Sequence, residues 1–384
     1  MNYDFDKMER NKKLYKKMWD KTEFCSDNFI TNKNWTGDKA DSSFYIKTPK
    51  AAKLFKQLIP VLAEELAEKF EIKNNELFCE KFNEACSGSG QEALKITTMH
   101  SSSLCALLFF YNIASSNKKL ELKLGNDSPE ETYVFDKSFF EFQNVVIEGR
   151  QPSNMDVVLV GYEKKNTSQK VVLFLESKFS EYYSTLKDTM EIPLAYLENK
   201  YGDKIYNDKL KVAQYDIQTN GGSKSKFNLI APNKTYIDGV KQMISHYIGV
   251  RNLLNGVKVE ERACKAHKEV VDAIDNHAKV FLGTIIFDDL FTPPKGKQID
   301  EKEKYYDTYE KSYKSLAEVL NKVPNTTQND NGVERTVDLT VLVEPFTYTK
   351  LLNEMTTQQY DLDEKVKEYY FVNSNVITSN TSKC

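Results

Sequence analysis

Hydrophobic and polar positions change period along this chain, and each change marks an element. Over Pro49 to Lys73 the residues Ala52, Leu54, Phe55, Leu58, Ile59, Leu62, Leu66 and Phe70 recur largely at three- and four-residue steps, the spacing of one helix face. Pro60 lies inside that pattern; without an N–H it is expected to kink the helix or split it in two. Residues 1–20 are charged and helical in pattern, with Met8, Leu14, Tyr15 and Trp19 as their main apolar positions. After the polar break Ser87–Gly90 a further helix is expected from Gln91 to about Ala114.

From Phe139 the pattern becomes strand-like. Phe139–Ile147, Met155–Tyr162 and Val171–Leu175 read as three strands, the last two joined by the polar turn Glu163–Gln169. Val171–Leu175 is apolar without interruption, which suits burial on both faces at the centre of a sheet. Residues 187–235 form a long mixed insertion containing the loop Gly221–Lys226. Val240–Leu254 and Glu260–Asn276 are helical in pattern, Lys279–Phe287 is a strand, 301–322 is a helix, and an Asn- and Thr-rich loop (323–332) leads to a strand at Thr336–Glu344. The fold class expected is α/β of the mixed α+β kind, a central mixed sheet flanked by helices. Residues 1–83 are an N-terminal helical region packed on the core, 84–290 the core, and 291–384 a C-terminal helix and strand extension of the same domain.

Composition narrows the classes. A hydrophobic content of 40% over 384 residues supplies a real core and excludes wholesale disorder. Lys+Arg 53 against Asp+Glu 56, a net charge of −3, excludes a protein that coats nucleic acid by global charge, but leaves room for a local basic groove. No apolar stretch approaches the ~20 residues of a membrane helix. The first residues lack an apolar signal core, and six cysteines are scattered with no CxxC pair, so free thiols in a reducing cytoplasm are expected.

Chemistry concentrates at Glu176-Ser177-Lys178. Glu-x-Lys also starts at Glu71, Glu121, Glu163 and Glu198, but only Glu176 follows a five-residue apolar run. Charged side chains two apart on a strand share a face, and at the end of a buried strand they sit either in a cleft or at an energetic cost. If the two flanking strands form a hairpin turning about Asn166, paired residue numbers sum to 332 and Asp156 falls opposite Glu176, within roughly 5 Å. Two carboxylates that close raise each other's pKa unless a cation lies between them, and Mg²⁺ or Mn²⁺ suits oxygen ligands. Lys178 beside them can hold a water or offset developing negative charge. The rival reading is an ion pair at a strand end for Glu176 and Lys178, and a strand or turn cap for Asp156.

Asp156, nineteen intervening residues and Glu176-Ser177-Lys178 on two hairpin strands resemble the PD-(D/E)XK nuclease superfamily, the restriction-endonuclease-like fold. The resemblance spans about residues 84–290. It implies a core order of helix, three strands, helix and strand, a Mg²⁺- or Mn²⁺-dependent hydrolysis of phosphodiester bonds, and DNA ahead of RNA as substrate. It further implies a metal-binding acid on the first helix, where Glu92 stands, and a glutamine on the helix after the third strand, where Gln242 stands. No proline directly precedes Asp156; the nearest is Pro152. Glu92 lies three residues after Ser89 and serves equally as the reciprocal member of a capping box. Gln242 reads as a surface or packing residue on the bland view, and Glu148 is another acid near Asp156 for metal or phosphate. The partners expected are nucleic acid and no membrane, with a homodimer left open. Two rivals stay beside the nuclease: a nuclease-like fold that binds nucleic acid without cutting, and a structural or protein-interaction module.

Lesser features carry less. His100 to Ser103 have no paired base, and their small residues suit close packing. Cys264, His267 and His277 lack a second cysteine pair for zinc. Lys12, Lys13, Lys16 and Lys17 are a solvated helix face, and Ser87–Gly90 lacks the Gly-Lys-Ser/Thr of a phosphate loop. Phosphate contacts are best sought in the insertion, at Lys204, Lys209, Lys211, Lys224 and Lys226.

Overall fold

The uninterrupted apolar run at Val171–Leu175 becomes the interior strand around which the chain is built. A computed structural model describes residues 29–31, 44–46, 52–86, 96, 101–114, 119–125, 131–147, 152–179, 187–198, 205–206, 210–219, 222–235, 237–257, 268–288, 300–328, 334–336, 338–358, 360 and 362–371. In chain order these include helices α1 (Ala52–Lys69), α2 (Asn75–Ala85) and α3 (Ser102–Phe110), then strands β1 (Leu120–Leu124), β2 (Glu131–Asn144), β3 (Ser153–Glu163) and β4 (Lys170–Lys178). Strands β5 (Lys187–Ile192), β6 (Lys211–Thr219) and β7 (Gly222–Thr235) precede helices α4 (Ile237–Leu254) and α5 (Lys268–Asp275). The chain continues through β8 (Lys279–Ile286), α6 (Asp300–Leu320), β9 (Leu339–Val341), β10 (Phe346–Thr347), α7 (Tyr348–Thr357) and α8 (Glu364–Tyr370).

Seven strands form one mixed sheet in the order β9-β8-β4-β3-β2-β1, with β10 also beside β8. The β1, β2, β3 and β4 neighbours are antiparallel, whereas β8 runs parallel to β4, β9 and β10. The sheet curls: Phe281 of β8 meets Tyr133 of β2 edge-on at 5.2 Å between ring centroids, although β4 and β3 lie between those strands. Every β4 residue from Val171 to Lys178 is buried, as the apolar run led one to expect. Ser177 faces α3 and Glu176 and Lys178 face α4, and since successive strand side chains point oppositely, those helices cover opposite faces. From Leu104 to Phe110 helix α3 is apolar and buried on all sides, the mark of a core helix. Gly249 lets α4 lie close on the sheet, because a Cβ there would stand 2.6 Å from Asn144 Cβ.

Several sequence expectations need correction. Between α3 and α4 the main sheet receives four strands, not three. The edge strand β1 was not foreseen, and the strand expected at Phe139 begins at Glu131. The charged residues of β1 (burial alternating along Leu120–Leu124) disguised it as a polar connection. Helix α1 runs through Pro60 unbroken; the proline is exposed, so the carbonyl it leaves without an N–H is open to water. The insertion forms a three-stranded antiparallel sheet ordered β5-β7-β6, and the loop expected at Gly221–Lys226 is strand from Gly222 on. Thr219 pairs with Gly222, so only Asn220 and Gly221 separate the strands, a dipeptide typical of tight hairpins. Of the helices expected at Gln91–Ala114 and Glu260–Asn276, the described parts are α3 with the 3₁₀ turn Tyr111–Ala114, and α5. Among the described residues no helix is long and apolar enough to cross a membrane.

Candidate functional site

The β3–β4 hairpin has the register read from the sequence: Val157 pairs with Leu175 and Tyr162 with Lys170, each pair summing to 332. One step further, Asp156 stands opposite Glu176. There the ladder gives way to a side chain: the Ser177 N–H donates to Asp156 Oδ2 at 2.7 Å, and Ser103 Oγ donates to Oδ1 at 3.2 Å. On the other side of β3, Phe140 pairs with Val157 and Phe142 with Met155, which sets Glu141 opposite Asp156. Glu141, Asp156 and Glu176 therefore occupy one row across three adjacent strands. Glu141 is buried, with φ of 51°, in the left-handed region that non-glycine residues seldom adopt. The neighbouring Phe140 N–H donates to Glu84 Oε1 at 2.8 Å, so α2 holds the backbone at this irregular point.

Positive charge enters from β4 and α4. Lys178 Nζ lies 2.5 Å from Glu176 Oε1 and donates to Gln242 Oε1 at 2.7 Å. His246, one helical turn after Gln242, places Nε2 2.8 Å from Glu176 Oε2, while its Nδ1 is 2.5 Å from Ser153 Oγ. Glu176 and Lys178 are each 4% exposed and His246 1%. Burial works to raise the Glu176 carboxyl, but the charges of Lys178 and His246 close beside it, with the hydrogen bond from Lys178, bring it to about 2. Asp156 goes the other way. Burial first, then the charges of Glu176 and Glu141, push it well above the carboxylate range, against Lys178 and the Ser177 N–H. The two facing acids are therefore driven in opposite directions, Glu176 down and Asp156 up.

Asp156, Glu176, Lys178 and Gln242 are thus brought together, and the ion pair proposed as the bland rival is present as well. Glu92, Glu148, His100, Cys264 and His267 lie outside the described residues. His277 is exposed at φ 59° just ahead of β8. The serines before Leu104 have specific tasks: Ser101 caps α3 by accepting from Leu104 N, Ser102 O accepts from Ser177 Oγ, and Ser103 holds Asp156. Sequence reasoning missed Glu141 and His246. A single carboxylate within Phe139-Phe140-Glu141-Phe142 was the available signal for the first; the helical spacing from Gln242 was the signal for the second.

The donor chemistry suits a hard divalent ion: carboxylate oxygens from Asp156, Glu176 and Glu141, among them a Glu176 Oε2 that is buried without an aligned hydrogen bond. Among the described residues no three His, Cys, Asp or Glu side chains stand ready-placed around one ion, because Glu176 is drawn to Lys178 on one oxygen and to His246 on the other. Comparison with known proteins finds no matching family model, no matching curated protein and no matching solved structure.

Proposed function

We propose that this protein is a metal-dependent nuclease hydrolysing phosphodiester bonds, with DNA as its substrate. The observation that carries the reading is the row of Glu141, Asp156 and Glu176 across three strands, with the Lys178 ammonium held beside Glu176. Asp156 and Glu176, with Glu141, would hold Mg²⁺ or Mn²⁺. A bound ion supplies Lewis acidity toward the phosphoryl oxygen and an activated water. Lys178, fixed by Glu176 and Gln242, presents a cation where negative charge grows on the phosphate. Ser103 and the Ser177 N–H keep the Asp156 carboxyl in the fork between β3 and β4. The resemblance to the PD-(D/E)XK superfamily adds the preference for DNA.

Phosphate contacts away from the site are assigned to the three-stranded sheet, which joins the main fold between the site strand β4 and the site helix α4. Lys211, Lys224 and Tyr215 are exposed there, and Lys226, opposite Tyr215, pairs with Glu191 at 2.6 Å. Tyr196 OH donates to Ser245 Oγ at 3.0 Å, tying its root to the residue next to His246.

The test is cleavage of plasmid and linear DNA by the whole protein with Mg²⁺ or Mn²⁺ and with EDTA. Cleavage with either ion, none in EDTA, and none by a folded Asp156→Ala protein are expected; full cleavage by Asp156→Ala ends the reading. The Lys178–Glu176 pair itself favours a second reading, a purely structural network. That reading requires no DNA affinity and a melting temperature indifferent to Mn²⁺.

A further inference from the structure

We infer that His246 is a positioning residue of this site: it orients Glu176 for the metal ion, and Ser153 holds its ring from the other nitrogen. The inference rests on the nuclease reading and adds a role that the Asp-Glu-Lys pattern does not contain.

Glu176 meets a partner on each oxygen, Lys178 at Oε1 and His246 at Oε2, with the whole cluster buried. A carboxylate held on one oxygen alone can turn about its last bond; held on both, its plane is set. The ionised carboxylate only accepts, so the proton of the imidazole facing it belongs on Nε2. On the other side of the ring Nδ1 lies 2.5 Å from Ser153 Oγ. Both ring nitrogens are therefore engaged by polar side chains of this site. A histidine buried for packing alone would have no need of that arrangement.

The contact from Nε2 to Oε2 is short at 2.8 Å, yet the two atoms are not aligned as a regular hydrogen bond. The oxygen thus keeps a direction open for an incoming ion while its carboxylate is steered by the ring. Helix α4 reaches both ends of Glu176-Ser177-Lys178 from one face, Gln242 gripping Lys178 and His246 gripping Glu176. Hydrogen-bonding partners of metal ligands of this kind change metal affinity by ~10–100-fold when removed.

The experiment is titration of the whole, metal-free protein with Mn²⁺, followed by calorimetry, for the wild type, His246→Leu, His246→Gln, Ser153→Ala and Asp156→Ala, each checked for a native circular-dichroism spectrum. His246→Leu is expected to weaken Mn²⁺ binding ~10–100-fold. His246→Gln should restore binding near the wild-type value, because its amide nitrogen reaches the place of Nε2 and donates to Glu176. Ser153→Ala should weaken binding less than His246→Leu. Equal weakening by His246→Leu and His246→Gln would show that the donor is irrelevant and overturn the inference. Wild-type affinity in both variants, with Asp156→Ala still deficient, overturns it too and leaves the nuclease reading standing. If the wild type binds no Mn²⁺ that depends on Asp156, the nuclease reading fails and the role of His246 falls with it. Should His246→Leu not fold, His246→Gln and Ser153→Ala decide: wild-type Mn²⁺ affinity in Ser153→Ala together with weakened affinity in His246→Gln overturns the inference.

Discussion

The two ends of the seven-stranded sheet carry nearly the same chemistry in different surroundings. At one end Lys178 meets Glu176 and Gln242, its side chain 6% exposed. At the other, Lys279 at the start of β8 meets Glu131 at 2.8 Å, Glu163 at 3.3 Å and the Tyr133 hydroxyl at 3.5 Å, its side chain 26% exposed. The second cluster borders an open cleft of about 840 Å³, lined also by Lys322 and Asp338. Water there screens every charge, and Lys279 holds its proton more firmly than usual: slight burial opposes its charge, and its carboxylate and tyrosine neighbours outweigh it. At the closed end water cannot do this. Burial first, then the charges of Glu176 and Glu141, push the Asp156 carboxyl well above the carboxylate range, against Lys178. A lysine–glutamate pair is thus a surface ornament in one place and part of a buried cluster of interacting charges in the other.

The largest test of that contrast is catalytic. Lys178→Ala should reduce DNA cleavage by roughly two to three powers of ten, since one preorganised charge-stabilising group is worth ~3–4 kcal/mol. Lys279→Ala should cut at the wild-type rate. Equal rates for the two variants would erase the distinction. Next comes stability, measured by urea unfolding without metal. Lys178→Ala strips one partner from a buried carboxylate and should cost about 3–5 kcal/mol, whereas Lys279→Ala should cost about 0–1 kcal/mol. Removing both charges, as Glu176→Gln with Lys178→Met, should recover much of the first loss, because no buried charge is then left alone.

How far the sequence revealed this site depends on which residues are considered. The hairpin register was legible because an uninterrupted apolar run, a polar turn and Asp156 fix each other: once Asn166 is the turn centre, parity leaves one partner for Glu176. Gln242 came from a resemblance, and the structure gives it a physical task in holding Lys178. Glu141 was illegible because its neighbour relation runs through β2, whose start at Glu131 lies in a charged stretch that does not alternate cleanly. Its left-handed backbone is also imposed by packing: Glu84, 57 positions earlier than Glu141 in the chain, takes the adjacent N–H. The insertion was misjudged for a local reason, since Gly, Ser and Lys weigh against strand while cross-strand pairing with β6 decides for it. Contacts made at long sequence separation were invisible where no periodicity announced them.

The smallest expected effect concerns the sign of a pH dependence. Glu84, behind the closed end, is pushed above its ordinary pKa of 4.5 by burial, which outweighs Lys81 and the Phe140 N–H. A carboxyl raised on folding binds its proton more tightly in the native state. Its contribution is therefore full below about pH 4.5 and declines as pH rises through the folded value. Glu131, at the open end, is lowered from 4.5 by hydrogen bonds from Lys279 and Tyr133, so its contribution is present above that pH and is lost as pH falls. Melting curves of Glu84→Gln and Glu131→Gln against the wild type, between about pH 4 and pH 7 at low salt, should diverge with opposite slopes. Relative to wild type, Glu84→Gln should gain with rising pH, whatever constant loss follows from leaving Lys81 without its charged partner. Glu131→Gln should lose with rising pH, by a smaller amount that added salt removes, because its side chain is half exposed. Slopes of the same sign would mean that burial does not govern charge at the closed end, and the upward shift of Asp156 there would lose its physical basis.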